Sequence, residues 1–213
     1  MVKKSNGIVR MLIPFGVVCA AFLYIIGLTF AQIAESIDMI KIYNGYIGDA
    51  NFSFEAESYR QSIAQLSGFI VFYIILAALA AVALVAFAIY FVRTVSPRVK
   101  AVRLAAKEGS AAFFPAERVD AWVITCYCLV FVALLVGIYM MVSNFQTVYQ
   151  ILMINIETID IDNRTDIYYA NIRGYVTHLV VYIVGTVLSA AAAVCCAVRF
   201  VHVYAEDKKS LTA

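Results

Sequence analysis

GFIVFYIILAALAAVALVAFAIYFV, residues 68–92, runs for twenty-five positions without one charged or amide side chain. As an α-helix it measures about 38 Å, enough to cross the roughly 30 Å hydrocarbon core of a bilayer. Working outward, segments 11–31, 121–142 and 175–198 have the same character, and none of the four contains Asp, Glu, Lys or Arg. That is what the cost of holding a charge at mid-bilayer demands. The chain as a whole is 64% hydrophobic and 14% charged. Soluble domains are nearer about 45–50% apolar and about 25% charged. The fold class expected is an all-α membrane protein with four transmembrane helices.

The first segment follows Lys3, Lys4 and Arg10, as a secretory signal would. Its apolar run is long for a signal, and no small-residue cleavage site with a polar flank ends it. It reads as a retained helix. Lys and Arg number three before segment 11–31, two over 32–67, six over 93–120, two over 143–174 and three from Arg199 onward. Twelve of the sixteen thus fall on one side, and the positive-inside rule makes that side cytoplasmic. Both termini and the central linker are expected in the cytoplasm, in a multi-pass protein of the plasma or inner membrane.

The two halves read as one hairpin used twice. A Gly and an Arg bracket the returning helix at equal separation, Gly68 to Arg93 and Gly174 to Arg199, and each outer turn carries an N-x-[ST] triplet, at Asn51 and Asn163. We therefore expect a single four-helix domain over 1–213. Within it, a parallel repeat of 1–95 and 118–205 would be joined by a basic linker, 96–117. The outer segments keep helical periodicity. Ile33, Ile37, Ile40 and Tyr43 follow the first span, and Val148, Leu152, Ile156 and Ile159 the third. Glu55 and Glu57 suit the first turn of a returning helix, and Asn163 with Asp166 resembles another helix start. The expectation is an antiparallel bundle whose helices extend beyond the membrane on the outer side, with turns over 44–51 and 160–163. A short strand over 154–161 is the alternative there. In the linker, Val99, Val102 and Ala106 share one helical face opposite Arg98, Lys100, Arg103 and Lys107, between the breakers Pro97 and Gly109. Such a helix suits an anionic leaflet surface or a partner.

Chemistry is sparse. His178 and His202 are 24 positions apart on one helix, about 36 Å, and cannot ligate one haem. Cys19, Cys126, Cys128, Cys195 and Cys196 all lie within spans, so the outer loops hold no disulfide. This argues against tetraspanins, claudins, connexins and pannexins, whose outer loops rely on cysteines. Cys126 and Cys128 fall at a depth comparable to Cys195 and Cys196, but C-x-C and C-C spacing sends paired thiols to different helix faces. Asp160, Asp162 and Asp166 fit a helix-capping turn better than a calcium site. No charged relay residue lies in a span, and no hydrolase or metalloprotease motif is present. No enzymatic activity and no cofactor are expected.

Small residues mark packing surfaces. Gly185, Ser189, Ala193 and Ala197 recur every fourth position, as do Ala77 and Ala81 in the second span; such ridges let helix backbones approach closely in lipid. Asn51 and Asn163 are candidates for N-glycosylation. The function expected is a non-enzymatic accessory or structural subunit of a membrane complex. A homo-oligomeric channel or pore and a sensor acting through a partner are the alternatives. Partners would be the lipid bilayer and other membrane subunits or further copies of the chain, with no nucleic acid.

Overall fold

The computed structural model describes residues 2–49, 55–108, 119–159 and 165–212, with side chains placed for 12–49, 55–105, 107–108, 119–156 and 171–208. All regular structure among them is helical. Helix α1 spans Val2–Gly48, α2 Ala56–Tyr90, α3 Ser96–Lys107, α4 Ala121–Ile159 and α5 Thr165–Thr212, with one π-helical turn at Phe91–Val95. Four of these helices are long and apolar enough to cross a membrane, as suits a multi-pass membrane protein. At 47, 39 and 48 residues, α1, α4 and α5 measure about 70, 58 and 72 Å, roughly twice the hydrocarbon core.

The helix starts have local causes. Glu55 occupies the N-cap of α2 and Glu57 its first turn, where acids favour the positive end of the helix dipole. At the start of α4, the Val123 N–H donates to the Asp120 carboxylate at 2.9 Å, a side-chain cap at the point where the apolar run begins. Within the spans, hydroxyls turn back onto their own helix. Thr125 donates to the Ala121 carbonyl, Thr186 to Tyr182 and Thr29 to Ile26, at 2.7–2.8 Å, so these polar groups cost little in an apolar setting.

Helix α1 keeps going where a turn is expected. Helix α1 runs through Asn44 to Gly48, and residues 154–159 are helical, not a strand; the turn expected at 160–163 lies outside the described residues. The second departure is at Pro97. The proline does not separate α2 from the linker helix, because the π-helical turn carries the chain from one into the other. Proline lacks an N–H and its ring crowds the carbonyl four residues back. It sits at the first positions of α3, with the Ser96 N–H bonded to the Phe91 carbonyl, five residues back; this wider turn relieves the crowding. Val95 and Val99 are buried while Lys100, Arg103 and Lys107 are exposed, so the amphipathic helix rests on the base of the bundle.

Helix α1 packs against α2 and α5, α4 against α5 and α2, and α1 meets α4 more lightly across the diagonal. The buried positions alternate in steps of three and four. They are Tyr73, Leu76, Ala80, Ala83, Phe87 and Tyr90 on α2, and Tyr182, Gly185, Ser189, Ala192 and Cys196 on α5. Val18, Phe22, Ile25 and Thr29 on α1, and Val123, Tyr127, Val130 and Leu134 on α4, follow the same rule. A 3-4 alternation is the signature of knobs-into-holes packing. The interior is filled by Phe22, Ile25, Leu134 and Met141, each fully buried.

Candidate functional site

Two layers of side chains tie the four helices together. In the first, Tyr73 of α2 faces Asn144 of α4; the amide Nδ2 donates to the tyrosine Oη at 3.2 Å, and Oη–H reaches Oδ1 at 3.4 Å. Nδ2 also contacts Met140 Sδ at 3.3 Å. Tyr182 of α5 is buried close to Asn144 and to Gln32 of α1. Gln32 Nε2 in turn donates to Glu35 at 3.1 Å. Uncharged polar side chains of all four helices thus lie near one level of the bundle, with the exposed Glu35 carboxylate beside Gln32. Hydrogen bonds of this kind between membrane helices contribute about 0.6 kcal/mol on average.

The second layer lies at the other end of the same helices and is aromatic. Phe15 of α1 stacks on Phe91 and Phe87, with centroids 4.0 and 5.2 Å away. The Tyr90 and Tyr127 hydroxyls approach to 3.3 Å, and the Tyr127 ring meets Phe200 of α5 at 5.0 Å. Cys126 donates its thiol to the Ala86 carbonyl at 3.8 Å. Ring pairs add about 0.5–1.5 kcal/mol beyond the area they bury.

Beside the polar layer, α2 and α4 part to leave a lateral groove of about 480 Å³. Tyr73 and Asn144 line it together with Gln65 and Ser143, and Phe69, Phe72 and Tyr139 supply apolar walls. Gly68 borders the same groove, and a Cβ placed there meets no atom within 4 Å. A smaller cavity of about 200 Å³ between α4 and α5 is lined almost wholly by apolar side chains. Comparison with protein-family models, curated proteins and solved structures finds no match. The groove and the polar layer beside it are thus read on their own chemistry.

Of the residues singled out from sequence, Gly185 and Ser189 are buried and Ala193, Ala197 and Ala77 half-buried, while Ala81 is exposed. A Cβ at Gly185 would run into Met141 Sδ and the Tyr24 ring; Tyr24 is anchored by a 2.7 Å bond from its hydroxyl to the Val181 carbonyl. The Ser189 hydroxyl is buried with no hydrogen-bond partner. On α2 the buried small residues are Ala80 and Ala83. Asn51 and Asn163 lie outside the described residues. Cys126 and Cys196 are buried, Cys195 half-buried and Cys128 exposed, so the neighbouring thiols do point to different faces. Among the described residues, no three His, Cys, Asp or Glu side chains gather as a metal would require.

Tyr73, Asn144 and Gln32 were not among the residues singled out. Asn144 sits just past segment 121–142, where a polar residue reads as outer loop. The available signal was weak: Asn144 is only the first of four amides on α4, followed by Gln146, Gln150 and Asn155. With neutral amide and phenol groups at its floor and aromatic walls, the groove can bind an uncharged, hydrogen-bonding part of an amphiphile.

Proposed function

We propose that this chain is a non-enzymatic subunit of a larger membrane assembly. It crosses the bilayer four times as an antiparallel bundle, with both termini and α3 on the cytoplasmic side. The observation that carries the reading is apolar surface displayed beyond the length that lipid can cover. On α4, Tyr149, Ile151, Ile154 and Ile156 are exposed, Ile154 at 62%, although they lie some 10–21 Å past segment 121–142 along the helix. On α1, Ile37 and Ile42 are exposed in the same way. Apolar patches held in water mark surfaces that partners cover.

Helix order is supported by the contacts at successive levels. Phe15 meets Phe87 while Tyr43 meets Tyr59, and Tyr90 meets Tyr127 while Tyr73 meets Asn144. These are the contacts that antiparallel α1–α2 and α2–α4 pairs would make. Because large side chains fill the interior of the bundle, any conduit would have to form between protomers.

The deciding experiment is the native mass of the gently solubilised particle, with mass spectrometry of everything that co-elutes. Foreign subunits held in fixed ratio are the expected result. A pure homo-oligomer would move the function to a pore formed between protomers and lead to bilayer recordings. A lone monomer would end the subunit reading.

A further inference from the structure

We infer that the groove between α2 and α4 is a lipid-binding site, taking one acyl chain of a membrane glycerophospholipid with its glycerol-ester linkage against Asn144 and Ser143. The inference rests on the membrane-spanning reading above, and three observations carry it. At about 480 Å³, the groove falls within the roughly 300–1,000 Å³ range of small-molecule sites. Its chemistry changes along its length. Gln65, Ser143, Asn144 and the Tyr73 hydroxyl offer neutral donors and acceptors, while Phe69, Phe72 and Met140 form an apolar trough. Among the described residues no charged side chain lines it, so it suits the ester region of a lipid and not the phosphate.

The third observation is depth. Gly68 and Phe69 open segment 68–92, and Ser143 and Asn144 follow segment 121–142. The polar end of the groove therefore lies at the hydrocarbon boundary, where glycerol esters reside, and its apolar end extends into the core. Phe69 is 54% and Tyr139 69% exposed. Both are amphipathic or aromatic walls left uncovered by the protein itself at a depth where the surrounding medium is lipid. Tyrosine at this boundary is a familiar interfacial anchor. Seating an ester carbonyl beside the Asn144 amide would replace the weak Met140 Sδ acceptor of its second N–H and would brace α2 against α4.

The test is photolabelling of the full chain in phospholipid nanodiscs that contain a phosphatidylcholine with a diazirine within the first few carbons of one acyl chain. Adducts are mapped by peptide mass spectrometry. The expected result is labelling of Phe69 and Phe72 about fivefold above Phe30 of α1 and Val180 of α5, which are exposed at similar depth. Gly68→Phe should abolish the enrichment, because its side chain enters open space in the groove without a backbone clash. Tyr139→Ala, at an exposed wall outside the core, should weaken it with unchanged thermal stability. Label spread evenly over all four faces, enrichment that survives Gly68→Phe, or an assembly partner cross-linked in place of lipid overturns the site. Absence of label even on Phe30 and Val180 overturns the membrane spanning on which the site rests.

Discussion

At Gly185 a methyl group would strike Met141 Sδ and the ring of Tyr24, whereas at Gly27 it would meet nothing within 4 Å. Gly185→Ala should therefore lower stability by about 1–3 kcal/mol, the usual cost of overpacking. Gly27→Ala should be neutral or stabilise by up to about 1 kcal/mol through helix propensity. Thermal unfolding of the two variants in one detergent checks the contrast. Tyr73 and Asn144 call for a double-mutant cycle. Tyr73→Phe and Asn144→Leu should each destabilise and should couple by about 0.5–1.7 kcal/mol, the span seen for membrane hydrogen bonds. Additive effects would show that the pair does not interact. Gly185 was legible in the sequence because Ser189, Ala193 and Ala197 repeat its face every fourth position. On α2 the phase was not legible. Alanine stands at 77, 78, 80, 81, 83, 86 and 88, so several small-residue ridges can be drawn, and only packing selects Ala80 and Ala83.

Among the elements, α3 has the weakest hold on the rest. Val99 is its buried anchor, while Lys100, Arg103, Leu104 and Lys107 are exposed. Segments with few buried apolar contacts open locally at low free energy. Hydrogen exchange should accordingly show amides of Ser96–Lys107 exchanging well before those of residues 73–90. Val99→Asp should speed α3 further and leave α2 unchanged; equal protection of α2 and α3 in the native chain would refute the loose attachment. The amphipathic character of this helix was visible from its alternation of valine and basic residues. Its continuity with α2 was not. Proline reads as a break on the assumption of four-residue hydrogen bonding, and the π-helical turn at Phe91–Val95 shifts the bonding partner by one residue. The outer ends of α1 and α4 were expected as helices from their apolar spacing, though α1 extends into the expected turn because Asn44 and Gly45 are permissive residues and not strict stops.

For the whole molecule, the proposed orientation can be read from two exposed lysines. Lys41 lies on the part of α1 proposed to be outside, paired at 2.8 Å with Asp38 on an exposed face, and Lys107 ends α3. In a cysteine-free background, a membrane-impermeant maleimide applied to intact cells should label Lys41→Cys and spare Lys107→Cys until the cells are opened. The reverse pattern would invert the topology. The sequence by itself determined the number and extent of the apolar segments, because the bilayer imposes a one-dimensional requirement: about 20 residues without a charge. It also carried the charge asymmetry on which the expected orientation rests. The tertiary structure alone decided which face of α2 turns inward, that Tyr73 meets Asn144, and that α2 and α4 part to leave a groove. The reason is physical. A helix that is apolar all round carries no amphipathic marker for its inner face, and between such helices the choice falls to shape and to a few hydrogen bonds that form only when the helices are in register.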